Sequence, residues 1–286
     1  MNLPLPGSVR DFLQRGKAHL EAGRYDEAAA EFSAASLLLS NPADQAWALS
    51  YRGVARYRAG CPEQAIADFT SVLDGLPVTQ DCDWVFLHRG YARLQLEQYD
   101  AALADFTQAI ERHPGDEGHS LALCCRAAAH YQLGSYAAAT ADCTALLMDF
   151  PDCAERPLAL FNRGAARNKT GDFEAAIRDF TRASELYTDP ADRSRAYDSR
   201  GYAYLCCGDF TRALQDFERV IAAGVDPANA HYNAACLFAR QNDPQPACQH
   251  LAAAIALDPR NAALAAADPD FDLIRDEPGF RALAGD

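Results

Sequence analysis

One unit recurs seven times along these 286 residues, and the recurrence constrains the fold more than any other feature. The segments RGYARLQLEQYDAALADFTQAI around Gly90, RGAARNKTGDFEAAIRDFTRAS around Gly164 and RGYAYLCCGDFTRALQDFERVI around Gly201 are versions of one another. The small residue after the arginine falls at Gly16, Gly53, Gly90, Ala127, Gly164 and Gly201, each step being 37 residues. A seventh copy follows at Ala235 after a step of 34. A period of this size marks an array in which each unit buries its apolar face against its neighbours.

Seven copies supply an internal alignment. With the small residue as position 8, position 20 is Ala28, Ala65, Ala102, Ala139, Ala176, Ala213 and Ala247. Position 24 is Phe32, Phe69, Phe106, Cys143, Phe180, Phe217 and Leu251, and position 27 is always small or aliphatic. Positions 20, 24 and 27 fall on one helix face. Position 4 is large in most copies, from Phe12 to Tyr197, and marks with position 8 the face of a second helix. Position 15 is Gly23, Gly60, Gly134, Gly171 and Gly208, with Glu97 and Asn242 as exceptions, and reads as the break between the helices. A second break carries Pro42, Pro77, Pro114, Pro151, Pro190, Pro227 and Pro259. Acids such as Asp44, Asp81, Asp116 and Asp152 follow, suited to the first turn of the next helix. Each unit is therefore helix A, a tight turn, helix B and a short loop.

The small residue at 8, the alanine at 20, the aromatic at 24 and the proline after helix B resemble the tetratricopeptide repeat, over residues ~9 to ~261. The resemblance implies an all-α, right-handed superhelical solenoid of seven helix-turn-helix repeats. Position 7, usually Leu, and position 11, usually Tyr, are mostly basic here. The family unit is ~34 residues long, so the longer steps imply an extra turn, placed before helix A. The units are expected at 9–45, 46–82, 83–119, 120–156, 157–193, 194–227 and 228–261, after an N-terminal tail at 1–8. The tail AADPDFDLIRDEPGFRAL (within 262–286) resembles the closing segment of bacterial repeat proteins. It implies capping helices in which Phe271, Leu273, Ile274, Phe280 and Leu283 cover the last repeat, and a bacterial origin.

Composition narrows the function. Twenty-six basic against forty acidic residues give a formal charge of −14, which repels a phosphate backbone and argues against nucleic acid as a partner. No apolar stretch reaches the ~20 residues that span a bilayer, and MNLPLPGSVRDF does not read as a secretory signal. Ten cysteines without a C-x-x-C pair read as reduced thiols of a cytoplasmic protein. Phosphate-loop, nucleophile-elbow and H-E-x-x-H motifs are absent, so a non-catalytic chain without cofactor or metal is expected. Solvated loop histidines are the better reading of His113 and His119 beside Asp116 and Glu117.

Position 7 carries Arg15, Arg52, Arg89, Arg126, Arg163 and Arg200; position 23 carries Glu31, Asp68, Asp105, Asp142, Asp179 and Asp216. In the seventh unit these become Ala234 and His250 together, which favours ion pairs within a unit, since pairing across units would orphan a charge at each end. The planar guanidinium suits such a partly buried pairing. The ladder reads as a structural register lock; a basic strip for an acidic ligand is the alternative.

In the family, A helices line the concave groove. The groove positions map onto Trp47, Tyr51, Arg58, Trp84, His88, Tyr91, Phe161, Asn162, Lys169, Tyr202, Tyr232 and Asn233. Rings supply apolar area and amides can bond an extended main chain, chemistry suited to a polypeptide segment. The two-carboxylate clamp of chaperone-binding members is not matched: units one to three offer Leu13, Lys17, Tyr51, Trp84 and His88. The resemblance thus implies a scaffold or adaptor that binds a partner polypeptide. A regulatory subunit docking by its outer face or ends, and a small-ligand or cysteine redox sensor using Cys124–Cys125 or Cys206–Cys207, are the alternatives.

Overall fold

The computed structural model describes residues 7–75, 84–112 and 117–285. Pro77, Asp81, Cys82, His113, Pro114, Asp116 and the side chain of Glu117 lie outside the described residues. The described chain is helical and forms two compact units, Met1–Cys153 and Ala154–Asp286. The first unit holds four A/B pairs: α1 (Gly7–Glu21) with α2 (Tyr25–Leu38), α3 (Pro42–Arg58) with α4 (Pro62–Gly75), α5 (Val85–Gln95) with α6 (Tyr99–Arg112), and α7 (Glu117–Gln132) with α8 (Tyr136–Asp149). The second holds α9 (Arg156–Thr170) with α10 (Phe173–Leu186), α11 (Pro190–Cys206) with α12 (Phe210–Ala223), and α13 (Ala228–Arg240) with α14 (Pro244–Leu257). Three short elements close it: α15 (Arg260–Ala267), a 3-10 turn (Pro269–Ile274) and α16 (Pro278–Ala284).

Every B helix has 14 residues, whereas α11 has 17 and α13 has 13. In the second, fourth and sixth units the longer period resides in an added turn at the start of helix A. That turn begins α3, α7 and α11 at Pro42, Glu117 and Pro190, ahead of the unit boundaries expected at 46, 120 and 194. Proline supplies the preset first helical residue, and the preceding side chain caps it. Asn41 Oδ1 accepts from the Ala43 amide at 3.1 Å, and Asp189 Oδ1 from the Ala191 and Asp192 amides at 2.7 and 3.2 Å. At position 15 all seven residues are left-handed, including Glu97 (φ 58°) and Asn242 (φ 57°).

The seam between A and B is set by position 8. A Cβ built on Gly53 would lie 2.6 Å from Cε1 of Phe69, and on Gly90 and Gly201 it would meet the rings of Phe106 and Phe217 at 2.6 Å, on Gly16 and Gly164 those of Phe32 and Phe180 at 2.9 Å. Those five rings are fully buried. Where position 8 is alanine, the ring is gone: Ala127 is matched with Cys143, and Ala235 with Leu251. Each B helix packs on its own A helix, and within each unit B helices pack on the A helix that follows: α2 on α3, α4 on α5 and α6 on α7 in the first unit, α10 on α11 and α12 on α13 in the second. Successive A helices also touch, α3 with α5 and α5 with α7, then α9 with α11 and α11 with α13.

The closing segment buries Phe271, Ile274 and Phe280 against the last pair, beside Ala247 and Leu251, with Leu283 partly buried. Leu273 does not join them; it is 63% exposed, because the 3-10 turn places successive residues on different sides. Among the described residues no helix is long and apolar enough to cross a membrane.

Candidate functional site

Along α3 and α5, half-buried rings run in continuous contact. The Trp47 and Tyr51 centroids are 4.2 Å apart, Tyr51 and Trp84 5.4 Å, Trp84 and His88 4.9 Å, and His88 and Tyr91 5.8 Å, with Tyr57 stacked on Tyr91 at 6.5 Å. Residues one helical turn apart, 47 and 51 or 84 and 88, share a face, so neighbouring A helices extend one stripe. Lys17 on α1 continues it, its Nζ 4.7 Å from the Trp47 ring and 5.5 Å from that of Tyr51. A cavity of about 320 Å³ opens there, lined by Arg10, Leu13, Gln14, Lys17, Asp44 and Trp47. His88 Nδ1 lies 3.2 Å from the Trp84 carbonyl; burial, with Arg58 nearby, holds this imidazole below its usual pKa and so neutral.

In the second unit the expected residues scatter. Phe161 packs on Phe180 at 5.5 Å and under the Arg195 guanidinium at 5.0 Å. Asn162 is half-buried, Lys169 is exposed, and Tyr202 is exposed, its hydroxyl pushed up to about 12 by burial and by nearby Cys206. Asn233 donates to Asp198 at 3.1 Å. Tyr232 was expected to face a partner, but it faces the cap: its hydroxyl donates to Asp268 at 2.8 Å and its ring meets Phe271 at 5.8 Å. Cap residues some 36 positions later thus occupy the wall that the repeat pattern left open.

The arginines face the acids of their own units. Arg52 Nη2 donates to Asp68 at 2.6 Å, Arg89 to Asp105 at 2.7 Å, Arg126 to Asp142 at 2.8 Å, Arg163 to Asp179 at 2.7 Å, and Arg200 to Asp216 at 2.7 Å. Arg15 and Glu31 pair at 2.9 Å, with the arginine half exposed. Position 11 adds a second donor: Arg56, Arg93 and Arg167 reach the same acids at 2.6–2.7 Å. Repeat periodicity did not expose one further contact. Nη1 of Arg52, Arg89, Arg126 and Arg200 donates to a hydroxyl of the preceding unit: Ser33 at 3.3 Å, Thr70 at 3.1 Å, Thr107 at 3.1 Å and Thr181 at 3.0 Å. The signal was a column of Ser and Thr at position 25. In the seventh unit His231 and His250 substitute for the pair, their Nδ1 atoms 3.1 Å apart, and burial lowers both pKa values.

Donor atoms of Cys236, Asp268 and Asp270 lie within 4.8 Å of one another, the arrangement among the described residues that most resembles a metal-ligand set. Its charge is already partly balanced: Tyr232 donates to Asp268, and Arg240 stands 3.9 Å from Asp270. Burial and the two carboxylates push the Cys236 thiol well up. Burial likewise raises Cys206 and Cys207, which lowers the thiolate fraction a redox sensor needs.

The tetratricopeptide repeat family model matches residues 13–77, 87–157 and 199–262, more than half of the chain. The chain belongs to the tetratricopeptide repeat family. Its fold is similar to that of a tetratricopeptide repeat protein from Parabacteroides merdae ATCC 43184, at 21% identity, with a TM-score of 0.66 over 88% of this chain and 94% of that one. It is also similar to a chain of the APC/C hetero-tetramer Cut9–Hcn1 (18% identity, TM-score 0.61, 96% of this chain and 52% of that one). A third is a Rap protein complexed with competence and sporulation factor (13% identity, TM-score 0.58, 90% and 79%). A comparison with curated proteins returns no match.

Proposed function

We propose that the protein is a non-catalytic scaffold that holds a partner polypeptide segment against the A-helix side of the array. The carrying observation is the ring stripe from Trp47 to Tyr91, half-buried and extended by the Lys17 ammonium. Rings fixed by their neighbours lose little entropy when a second chain covers them, so their apolar area is used efficiently. Arg58 belongs to this A-helix side in the first unit, and Phe161, Asn162, Lys169, Tyr202 and Asn233 to the A-helix side of the second; Tyr232, under the cap, serves the cap. Repeat proteins of this family commonly act by holding other proteins, and the Cut9–Hcn1 and Rap complexes are consistent with that role.

The ladder, in this reading, locks the register of the helices. Its arginines are spent on their own acids and on the neighbouring hydroxyls, which leaves no basic strip for an acidic ligand. A second reading has one observation behind it. Leu37 and Met148 share position 29 of their B helices and are 85% and 75% exposed, which suits docking by the outer face.

Affinity purification from the native cell, followed by the same purification with Trp84→Ala/Tyr91→Ala, tests the groove. Loss of the co-purified partner with unchanged helicity supports it. Retention of the partner by the double variant, together with its loss from Leu37→Glu/Met148→Glu, moves the site to the outer face.

A further inference from the structure

The buried acids of the ladder share one property. Asp68, Asp105, Asp142, Asp179 and Asp216 each accept hydrogen bonds from an arginine. Asp198, on α11, differs. It is half-buried, and its hydrogen-bond partner is a neutral amide, Asn233 Nδ2 at 3.1 Å. Arg195, three residues earlier on the same helix and lining the same cavity, is turned to Asp192 at 3.1 Å and to the Phe161 ring at 5.0 Å.

Asp198 lines a cavity of about 150 Å³ between the N-terminal half of α11 and the turn from α12 to α13. That volume is well below the ~300–1,000 Å³ of pockets for drug-sized ligands; it is the size of a single side chain. Ala191, Val220 and Val225 give it an apolar wall, while Ser194, Asp226 and Asn229 add polar groups and Arg195 stands at its edge. Asp226 is exposed and held in a left-handed conformation at φ 47°.

We infer that this cavity receives a lysine or arginine side chain of the partner polypeptide, its methylene stem on Val220 and Val225 and its cationic head between Asp198 and Asp226. The inference rests on the groove reading above and names the chemistry of one residue of its occupant. Long cationic side chains bury their stems on apolar surface while the charged head seeks a carboxylate. The Asp198 carboxyl is pushed up to about 6, first by burial and then by Asp226, against the stabilising Asn233 bond. The charged groups that share the cavity with it are Asp226 from the turn and Arg195 from α11; α13 contributes the neutral Asn229 to the lining and Asn233 as the hydrogen-bond donor. An incoming cation supplies the missing countercharge.

The full chain, labelled with nitrogen-15, is titrated at pH 7.5 with three probes: the N-acetyl methylamides of lysine, arginine and norleucine. The expected result is saturable shifts at the amides of Ser194, Asp198, Val225 and Asn229 for one or both cationic probes. Norleucine should bind about tenfold more weakly, the effect of one lost charge-assisted contact. Asp198→Asn keeps the shape and the contact to α13 and should show the same loss; Asp226→Asn, at the exposed rim, should lose less. Equal binding of norleucine, undiminished binding by Asp198→Asn in a chain of unchanged helicity, or no saturable shift with any probe overturns the inference. The rings of α3 and α5 lie in the other compact unit, so a cation-selective response that survives Trp84→Ala/Tyr91→Ala separates failure of the stripe from failure of this pocket.

Discussion

Gly201 lies directly beneath the ring of Phe217: a Cβ at that glycine would stand 2.6 Å from Cε1 of the phenylalanine. Helix A and helix B approach until ring meets backbone, and the two positions are therefore one unit of packing. The natural exceptions support this, since both repeats that carry alanine at position 8 have also given up the ring. Gly201→Ala should destabilise the second compact unit by about 1–3 kcal/mol, the usual cost of overpacking. Phe217→Leu costs a similar amount through lost volume. The double variant, which imitates Ala235 with Leu251, should recover at least about 0.5 kcal/mol relative to the sum. Urea unfolding midpoints of the four proteins give this coupling directly; strict additivity would show that the two sites are independent.

The ladder makes a graded prediction. Arg89 is largely buried and bridges Asp105 and Thr70, so Arg89→Ala leaves a buried carboxylate with Arg93 alone. The expected loss approaches the ~3–5 kcal/mol of a broken buried pair. Arg15 is half exposed and Glu31 less enclosed than the ladder's aspartates, so Arg15→Ala should shift the urea midpoint little. Equal sensitivity of the two arginines would contradict the locking role.

Glu97 occupies the left-handed turn position that glycine holds in five units and asparagine in one. A side chain there costs about 1–2 kcal/mol, while glycine costs back about 0.5–1 kcal/mol through the freedom of its unfolded chain. Glu97→Gly should raise stability by up to about 1 kcal/mol, read as a higher urea midpoint.

Acid should weaken the fold through its histidines. Burial lowers the folded pKa values of His88, His130, His231 and His250, so the unfolded chain binds more protons as pH falls through its ordinary histidine range. Their neutral-state stability is present above that range and is lost below it. Asp198 acts with the opposite sign: its folded pKa of about 6 exceeds the unfolded value, so protonation between about 6 and 3.8 favours the fold. The double variant His231→Gln/His250→Gln should lose less stability than the parent between pH 7 and pH 5, and Asp198→Asn should lose more. Denaturant titrations across that interval measure both slopes.

The repeat was legible because its chemistry is local and repeated. A glycine at position 8 and a phenylalanine at position 24 report one helix crossing, and seven copies of the crossing remove ambiguity. Intra-unit pairing of Arg52 with Asp68 followed from the joint loss of both charges in the last unit. The column from Ser33 to Thr181 was visible but carried no expectation, because hydroxyls on a helix surface usually bond their own backbone; Thr181 does so too, to the Ile177 carbonyl at 2.7 Å. The fate of Tyr232 and the isolation of Asp198 could not be read. Each depends on side chains some 35 positions away whose distance no periodicity encodes.

In the proposed function the A-helix side of α3 and α5 is the surface that meets another chain. The most direct measurement places the photo-crosslinker benzoyl-phenylalanine at Tyr91 on that side, and separately at Glu111, exposed on helix B of the same unit, in the native cell. The expected result is a discrete crosslinked protein from position 91 that disappears when Trp84→Ala is added, and none from position 111. Crosslinking of that protein from position 111 alone, or from position 91 with undiminished yield after Trp84→Ala, would contradict it.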